Sequence, residues 1–410
     1  MGVGVDVGGT FTDFFAAKGD EGLIHVYKTS STPSNPAEAI LNGLDAMCEK
    51  FDIPMDQIDR LSHGTTVGTN ALIQRTGSRV ALVTTKGFRD LLEIGRQTRP
   101  HMYDLQIDHP EPLVGREHRI ELNERIGAQG ESVREPSSED IDAAVDEVIA
   151  ADAGACAIGF IFSFRNDANE QTFAKALRAR APNVAVSVSS EVQPEFREYE
   201  RLSTTVLNAY LQPVMSRYLE TLEAGIAKRA PNASLGINQS NGGLMSVGRS
   251  REFPVRTALS GPAAGAVGAA HAARQIGRRN IITLDMGGTS ADVALIRDYK
   301  VDLAFDRDVA GFPIRMPCVD VETVGAGGGS VAWFDRDGLL KAGPKSAGAY
   351  PGPACYGNGG TEPTTTDANL LLGRLSSRGL LDGDMGLDSA LSRQVYQPIA
   401  DELGFTVEKT

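Results

Sequence analysis

The chain has 410 residues, of which 41% are hydrophobic and 23% charged, and its formal net charge is −13. This is the composition of a globular protein large enough for two or three domains with their own cores. The acidic balance, with no cluster of Lys and Arg, excludes nucleic acid as the main partner, because phosphate backbones are bound by clustered cations. No apolar run approaches ~18 residues, so the sequence predicts no membrane span.

The four cysteines are far apart in the sequence and form no CxxC pair: Cys48, Cys156, Cys318 and Cys355. This spacing supports neither a zinc ribbon nor a redox motif. Scattered cysteines in a protein of this size are typical of reduced thiols. The first predicted strand begins at Gly2 or Val3, which leaves no room for a signal peptide. We therefore expect a cytoplasmic protein.

The first 200 residues alternate between predicted strands and helices. A strand over 2–6, a Gly8-Gly9 turn and a strand over 10–17 are followed by a helix over 36–51, which has a proline at its first position. Further strands are predicted at 79–85, 155–162 and 184–188, and helices at 88–95, 137–152 and 167–181, with a loop at 98–112. This alternation indicates an α/β protein.

The second half begins with a long amphipathic helix over 199–229, predicted to be interrupted at Pro213. A strand at 234–239, a helix of small residues at 265–275 and strands at 281–285 and 292–297 follow. After Val301, short strands and Gly/Pro loops dominate until a helix near 367–375. Residues 405–410 show no terminating signal, and we expect the chain to be cut there.

One eight-residue pattern occurs twice, at a separation of 279 positions. Residues 6–13 read DVGGTFTD and residues 285–292 read DMGGTSAD, with five of eight positions identical. Each copy follows one apolar strand and precedes another. Each is therefore predicted to be a β-hairpin whose turn carries Gly-Gly-Thr.

Two such turns, facing each other, would suit a polyphosphate carrying Mg²⁺. Glycines let backbone N–H groups approach an anion closely, hydroxyls add donors, and Mg²⁺ takes one or two carboxylates while keeping waters. The candidate phosphate-binding residues are Gly8, Gly9, Thr10, Thr12, Gly287, Gly288, Thr289 and Ser290. Asp6 and Asp285 are the candidate Mg²⁺ ligands, and Asp13 and Asp292 are expected to orient the turns. The alternative is a pair of hairpins without a ligand.

The two hairpins resemble the phosphate-1 and phosphate-2 loops of the actin, Hsp70 and sugar-kinase superfamily. A narrower resemblance, to the hydantoinase A/oxoprolinase family, covers essentially all 410 residues. It rests on GVDVGGTFTD (4–13), HGTTVGTNA (63–71), FRDLLEIGRQTR (88–99), QSNGGLM (239–245), LSGPAAGA (259–266), TVGAGGGS (323–330) and the long Gly/Pro motif at 343–374. Ala291 departs from the family pattern, in which a Thr is common, but the flanking Asp285 and Asp292 are retained.

The resemblance implies an actin-like ATPase fold, with two ribonuclease-H-like α/β halves around a nucleotide cleft. Residues 1–200 would form the first half, with the phosphate-1 hairpin and an inserted substrate-side region. Residues 201–300 would contain the linking helix and the phosphate-2 hairpin, and 301–410 a β-rich, Gly/Pro-loop region that we interpret as truncated. Family members usually continue into a Gly-rich, FGGAG-like motif on the adenosine side, and this sequence stops before it.

The resemblance also implies ATP and Mg²⁺ as cofactors and a hydantoinase B-type partner subunit. The expected reaction is ATP-dependent hydrolysis of a cyclic amide of the hydantoin or 5-oxoproline type, with Asp6 and Asp285 as catalytic residues. The alternatives are a subunit of an ATP-dependent ketone carboxylase, a small-molecule kinase of the sugar-kinase type, or an inactive fragment or interaction subunit. The sequence does not name the substrate.

Candidate substrate contacts lie in two places. His63, Thr65, Thr66 and Asn70 surround a predicted helix start, where free N–H groups and hydroxyls suit a carbonyl or phosphate oxygen. Plain capping of the helix by a threonine is the alternative. Arg96 could hold an anionic or amide substrate, against the alternative of a solvated loop.

Three further sequence patterns are weaker indications of a functional site. A His/Asp-rich segment containing His101, Asp104, Asp108, His109 and His118 is dense enough for a metal but lacks standard ligand spacing. Cys355 could be a nucleophile, although a packed thiol is favoured. The Gly-rich segment 325–330 suggests a dinucleotide loop, but the residues after it are predicted to form a strand rather than the required helix.

Overall fold

A computed structural model describes residues 1–8, 11–19, 22–32, 35–100, 102–104, 106–348, 350–376 and 386–410. The strands are β1 (Gly2–Val7), β2 (Phe11–Lys18), β3 (Leu23–Ser30), β4 (Arg60–Thr65), β5 (Val80–Thr85), β6 (Arg119–Leu122), β7 (Arg125–Ile126), β8 (Ser132–Arg134), β9 (Ala155–Gly159), β10 (Ala185–Val188), β11 (Ser234–Asn238), β12 (Leu244–Ser246), β13 (Ile281–Met286), β14 (Ala291–Arg297), β15 (Lys300–Val301), β16 (Leu303–Val309), β17 (Phe312–Val319), β18 (Val321–Val324), β19 (Ser330–Phe334) and β20 (Leu340–Ser346). The helices are α1 (Pro36–Phe51), α2 (Val67–Ile73), α3 (Leu91–Ile94), α4 (Ser138–Ala150), α5 (Ala168–Arg180), α6 (Ser189–Val192), α7 (Glu198–Arg229), α8 (Val247–Glu252), α9 (Ser260–Gln275), α10 (Thr365–Leu371) and α11 (Ser389–Leu403). The prediction of a mixed α/β protein is confirmed.

The first sheet has six strands in the order β12-β11-β4-β1-β2-β3. Strands β1, β2 and β3 form an antiparallel meander, and β4 runs parallel to β1 on its other edge. Side chains alternate between the two faces of a strand, so Val3, Val5 and Val7 share one face and are all buried. They belong to a large core that also includes side chains of α1 and α7. The central strand of this sheet is therefore covered on that face and paired on both edges.

Helix α7 runs without a break through Pro213, so the predicted interruption is wrong. Proline removes one backbone hydrogen bond and crowds the preceding turn, which would break an isolated helix. Leu211 and Met215, on either side of the proline, are fully buried. Packing of both halves of the helix against the core therefore outweighs the local preference.

A second sheet, inserted between β4 and β11, contains only parallel strands in the order β10-β9-β5-β6. Parallel sheets are usually covered on both faces. One face packs with α4 and α5 around Phe160 and Phe173, and the other contributes Leu82 and Ala157 to the first core. The predicted strand over 155–162 ends earlier, at Gly159.

The third sheet also has four strands and is built on β14, which pairs antiparallel with β13, β15 and β18. Helix α9 lies against one face of it, in a cluster formed by Ala263, Ala266, Ala294 and Val319. Hairpin β16–β17 instead packs on α7 and joins the first core through Phe312 and Ile314. The first core thus includes residues from both sides of position 300.

The last helices pack around one buried carboxylate. Asp367 accepts hydrogen bonds from the backbone of Ala354, Cys355 and Thr364 and from the hydroxyls of Thr364 and Ser392. Together with Thr364 it forms a capping box at the start of α10. Sequence analysis did not predict α11, which contains Pro398. Among the described helices, none is both long and apolar enough to cross a membrane.

Candidate functional site

The two copies of the repeated pattern form β-hairpins of the same construction, as predicted. In the first, Asp6 lies opposite Asp13, and Gly8 N–H donates to the Phe11 carbonyl at 2.9 Å. In the second, Asp285 lies opposite Asp292, and Gly287 N–H donates to the Ser290 carbonyl, also at 2.9 Å. Gly9 and Thr10 lie outside the described residues.

Asp6 lies close to the backbone of two neighbouring elements. A Cβ atom on Gly64 of β4 would lie 3.1 Å from Asp6 Oδ1, and one on Gly261 of α9 would lie 3.5 Å from it. Ser260, the first residue of α9, shares hydrogen bonds at 3.3 Å with the backbone of Thr65. Glycines at these two positions therefore leave room for the carboxylate, at the point where α9 meets the end of β4.

The two hairpins bring their acidic residues within electrostatic range of each other. Partial desolvation raises the pKa of Asp6, and the negative charges of Asp13 and Asp285 raise it further. The Asp6 side chain nevertheless keeps an exposed surface. Lys28 lowers this pKa, but its amine is bound to both carboxylate oxygens of Asp13, at 2.6 and 2.7 Å. Excess negative charge therefore collects at Asp6 and Asp285.

This donor set fits a hydrated divalent cation better than a metal held only by protein. In the described part of the chain, no group of three or more His, Cys, Asp or Glu side chains is arranged to ligate a metal. Mg²⁺ usually takes one or two carboxylates and completes its shell with water and phosphate oxygens. Asp6 and Asp285 could supply that pair, and a cation between them would relieve their repulsion.

The first turn is fixed by side chains of neighbouring strands. Ser31 donates a hydrogen bond to the Gly8 carbonyl at 2.8 Å and shares another with the buried Thr12 hydroxyl at 2.9 Å. Thr66 donates to the Val7 carbonyl at 3.0 Å. The hydroxyl of Thr12 thus belongs to the framework behind the turn.

The second turn is fixed by the Gly-rich segment 325–329, a role that sequence analysis missed. Gly328 and Gly329 N–H groups donate to the carbonyls of Gly287 and Gly288, at 2.9 and 2.6 Å. A Cβ atom on Gly327 would lie 2.7 Å from Thr289 N, closer than such atoms approach. The detectable signal was a run of three glycines before a strand, because such a run permits close backbone approach.

The aspartates that close the two hairpins have different partners. Asp13 is paired with Lys28, whereas Asp292 accepts a hydrogen bond from the Thr323 hydroxyl at 2.6 Å. Thr323 lies opposite Asp292 in the pairing of β14 with β18. Each aspartate therefore contacts the strand that pairs with the outer edge of its hairpin, β3 for Asp13 and β18 for Asp292.

A cavity of about 430 Å³ lies beside the first turn, and Gly8, Thr66 and Asn70 line it. Asn70 donates to the Thr66 hydroxyl at 3.3 Å. Thr65 does not line the cavity; it is buried at the end of β4, and its hydroxyl accepts a hydrogen bond from Val67 N–H at the start of α2. Two of the four predicted contacts thus reach the cavity.

His63 lies in the core behind this cavity. Its Nε2 is 2.5 Å from the Tyr218 hydroxyl, and its Nδ1 is 3.4 Å from the Val5 carbonyl. Burial lowers the pKa of His63 to about 4, so the ring is neutral near pH 7. Tyr218 lines the cavity, so His63 reaches it only through that hydroxyl.

Arg96 lies in a different place from the other predicted substrate contacts. It lines a separate cavity of about 770 Å³, and its guanidinium binds both Glu200 oxygens, at 2.7 and 2.6 Å. This cavity meets α7 near Ser203, whereas the smaller one meets it near Tyr218. At a rise of ~1.5 Å per residue, these points are roughly 20 Å apart along the helix. The structure therefore does not bring Arg96 together with Thr66 and Asn70.

The remaining candidates lie away from the hairpin turns or form no site. Burial, with the adjacent Asp367 adding to it, raises the pKa of Cys355 to about 12, which fits the packed thiol and not a nucleophile. His109 is hydrogen-bonded to the Thr98 carbonyl at 2.7 Å, and His118 lies beside Glu117. His101 lies outside the described residues.

Relatives of this chain include enzymes that act on cyclic amides or ketones. The chain is 41% identical to the caprolactamase subunit alpha of Pseudomonas jessenii, covering 99% of this chain and 59% of that one. It is 34% identical to the acetophenone carboxylase gamma subunit of Aromatoleum aromaticum, covering 99% and 58%. The 5-oxoprolinase of Saccharomyces cerevisiae is also 34% identical, covering 91% and 32%.

Two solved structures have the same architecture over the whole chain. The crystal structure of the ATP-dependent caprolactamase from Pseudomonas jessenii has a TM-score of 0.86 at 40% identity and covers 100% of this chain and 60% of that one. The nucleotide-free structure of acetone carboxylase has a TM-score of 0.80 at 28% identity, with coverages of 100% and 60%. This chain therefore spans about three fifths of the length of both.

Two family models together cover most of the sequence. Residues 2–181 match the hydantoinase/oxoprolinase N-terminal region, and residues 201–410 match hydantoinase/oxoprolinase. The first includes the hairpin of Asp6 and the second that of Asp285. The chain belongs to the hydantoinase/oxoprolinase family.

Proposed function

We propose that this chain is the ATP- and Mg²⁺-binding part of an enzyme that hydrolyses a cyclic amide. The observation that carries this proposal is the pair of Asp–Gly-Gly hairpins whose first aspartates, Asp6 and Asp285, lie within electrostatic range. The relatives with the highest identity and TM-score given above are a caprolactamase subunit and an ATP-dependent caprolactamase.

We further propose that the fold is of the actin-like ATPase type. In support, β1–β2–β3 and β13–β14–β18 are two sets of three antiparallel strands with the same pairing, each carrying one hairpin. In this proposal, residues 1–200 form the first half, with the parallel sheet as its insertion. Residues 201–300 contribute the linking helix and the second hairpin, and residues 301–410 form a β-rich, Gly/Pro-loop region of the second half.

The hairpins hold and align the polyphosphate. In this proposal, N–H groups and hydroxyls of Gly9, Thr10, Gly288, Thr289 and Ser290 would donate to phosphate oxygens, since the Gly8 and Gly287 N–H groups already donate to the Phe11 and Ser290 carbonyls. Gly8 and Gly287 have no side chains and would let the phosphates approach, and Asp6 and Asp285 would bind the hydrated cation. When bound, Mg²⁺ neutralises charge that builds up on the transferred group. Asp13 and Asp292 orient the turns through Lys28 and Thr323. In this proposal, the chain aligns the polyphosphate and holds the cation that neutralises its charge.

Phosphorylation of the carbonyl oxygen explains why lactam hydrolysis would need ATP. Amide resonance makes a lactam carbonyl a poor electrophile. In the activating step, a bond forms between the carbonyl oxygen and the terminal phosphorus, and the bond from that phosphorus to ADP breaks. Water then attacks the carbonyl carbon, and the ring C–N bond breaks, with the nitrogen taking a proton, to leave an amine and an acyl phosphate. A second water hydrolyses the acyl phosphate to a carboxylate and inorganic phosphate. The cavity beside Gly8, Thr66 and Asn70, at about 430 Å³, is of a size that holds small ligands.

The second candidate function is ATP-dependent carboxylation of a ketone, favoured by the 34% identity to the acetophenone carboxylase gamma subunit. Product analysis separates the two functions. With hydantoin, 5-oxoproline or caprolactam, ATP consumption should produce phosphate and an opened ring. With acetone or acetophenone plus bicarbonate, it should produce a carboxylated ketone. A stable phosphoester would instead indicate a kinase.

A hydantoinase B-type subunit is the proposed partner, in keeping with the subunit names of the relatives.

Replacing Asp6 tests the proposed cation site. In the assembled enzyme, Asp6→Asn should reduce turnover by a factor of about 10²–10³, the usual cost of removing one electrostatic contact to a transition state. The free energy of unfolding should stay the same or rise, because the change removes a partly desolvated charge beside two others. Turnover is measured at saturating ATP and Mg²⁺, and unfolding in urea without either.

Asp152→Asn is the control for this substitution. Asp152 is an exposed carboxylate in the turn between α4 and β9, ion-paired with Arg79 at 3.4 Å, so turnover and stability should both stay at the wild-type level. Near-wild-type turnover in Asp6→Asn would rule out the assignment of Asp6 to the cation.

A further inference from the structure

The two repeated hairpins differ sharply in what covers them. At the repeat spacing of 279, Val3, Val5 and Val7 of β1 correspond to Ile282, Leu284 and Met286 of β13. The three valines are 2%, 3% and 3% exposed. Their counterparts are 72%, 66% and 50% exposed. Positions that are buried in the first sheet are therefore exposed in the third sheet.

The cover of the first sheet comes from two elements that follow its meander. Helix α1 packs on the face that contains Val3, Val5 and Val7, and a Cβ atom on its Gly43 would collide with the Phe14 ring. Strand β4 then pairs with β1 in parallel. The order is meander, helix, parallel strand.

The third sheet has the three antiparallel strands β13, β14 and β18 without the covering helix or the parallel strand. Within the described ranges, β13 pairs with β14 alone, and its other edge is free. Ile282 lies opposite Leu295, and Met286 lies opposite Ala291, which in turn lies opposite Val324. Directly opposed residues share a face, so Ile282, Leu284, Met286, Leu295 and Val324 lie on one face together with the buried Ala291. These five apolar side chains are 50–72% exposed, and the surface they form is here called the open face.

An open face of this kind beside a free strand edge is a binding surface. Soluble proteins rarely leave a contiguous apolar patch and an unpaired edge together, because both promote association. The opposite face of the same sheet is occupied by α9. The open face also stays exposed in the presence of α10 and α11, the last described helices.

We propose that the open face and the free edge of β13 bind a helix followed by a strand that pairs with β13 in parallel. A parallel strand must be reached through a crossover, and the crossover helix packs on the sheet face, as α1 does in the first sheet. The proposed occupant is the polypeptide homologous to the two fifths of the caprolactamase subunit alpha that this chain does not match. This inference is independent of the ATP chemistry, since it rests on the different exposure of equivalent residues in β1 and β13.

A second copy of this chain fits the surface less well. Two β13 edges related by a twofold axis would pair in antiparallel fashion, and neither copy would supply a crossover helix to the open face. The relatives contain additional polypeptide beyond the matched part, because this chain covers 59% of the caprolactamase subunit and 58% of the carboxylase subunit.

The test is co-expression of the whole chain with a tagged polypeptide comprising the unmatched part of the Pseudomonas jessenii caprolactamase subunit alpha. The two should purify as a one-to-one complex, and backbone amides of 281–286 should become protected from hydrogen exchange. Leu284→Asp should weaken the complex on the order of a hundredfold, which corresponds to about 2.8 kcal/mol, because it places a charge in an apolar interface. Leu284→Ile should retain binding.

Val133→Asp is the matched control, since Val133 is 63% exposed on β8, away from the open face; it should leave the complex intact. The unfolding midpoint of the isolated Leu284→Asp chain should match that of the wild type, because the side chain is exposed there. Failure to form a complex, or a complex unaffected by Leu284→Asp, would overturn the proposal. A dimer of the chain alone that Leu284→Asp dissociates would also overturn it, in favour of a second copy.

Discussion

At the scale of single residues, His63 links the folding free energy to pH. Its pKa is about 4 in the folded protein, because burial disfavours the charged ring, against 6.5 for an exposed histidine. Between these values the unfolded chain binds a proton that the folded chain does not. This contribution to the free energy of unfolding is therefore fully present above pH 6.5 and falls as the pH drops toward 4, by at most about 1.4 kcal/mol per pH unit.

His63→Gln should flatten this dependence, because glutamine keeps a hydrogen-bonding group near Tyr218 but does not titrate. The measurement is urea unfolding at several pH values between 4 and 7.5. His271→Gln, at an exposed position on α9, should keep the wild-type slope. An unchanged slope in His63→Gln would show that other groups cause the acid sensitivity.

At the scale of elements, the 325–329 segment fits so closely against the second turn that a single added methyl group would disturb the contact. A Cβ atom on Gly327 would lie within 2.8 Å of backbone atoms of Gly287, Gly288 and Thr289. Backbone cannot rotate away as a side chain can, so Gly327→Ala must displace the turn. We expect a loss of about 1–3 kcal/mol in the free energy of unfolding and weaker binding of ATP.

Gly325→Ala serves as the control, because its Cβ would meet only Pro344, at 4.0 Å. Calorimetry with Mg²⁺ and ATP, together with urea unfolding, should separate the two variants. Equal behaviour of both would mean that the segment does not position the turn.

At the scale of the whole molecule, the two repeated hairpins should differ in local stability. The first belongs to the large core shared with α1 and α7, whereas the cluster that holds the second to α9 has four buried side chains, three of them alanines. Hydrophobic stabilisation scales with buried apolar area, and local opening follows the least buried regions.

Hydrogen exchange followed by mass spectrometry should therefore show faster exchange in β13 and β14 than in β1 and β2, although their sequences are related. Peptides from 2–18 and 281–297 give the comparison within one sample. Equal protection of both hairpins from exchange would show that the size of the adjacent hydrophobic core does not set their local stability.

The sequence by itself determined the features that depend on neighbouring residues. The alternation of strands and helices, both repeated hairpins, and the bounds of α1, with Pro36 at its first turn, follow from turn chemistry and periodicity over a few positions. Helix α11 was missed and the continuity of α7 was misjudged, because Pro398 and Pro213 are local helix breakers whose effect packing overrides.

Only the tertiary structure decided which residues from distant parts of the sequence lie close together. The pKa of Asp6 responds to Asp285, 279 positions away, and Gly328 binds the turn at Gly287, while Arg96 lies in another cavity from Thr66 and Asn70. The open face is likewise invisible to pattern analysis, since Leu284 and Val5 occupy equivalent places in similar strands. The physical reason is that local propensity acts through bonded neighbours, whereas burial and charge depend on atoms that the fold brings together from distant parts of the chain.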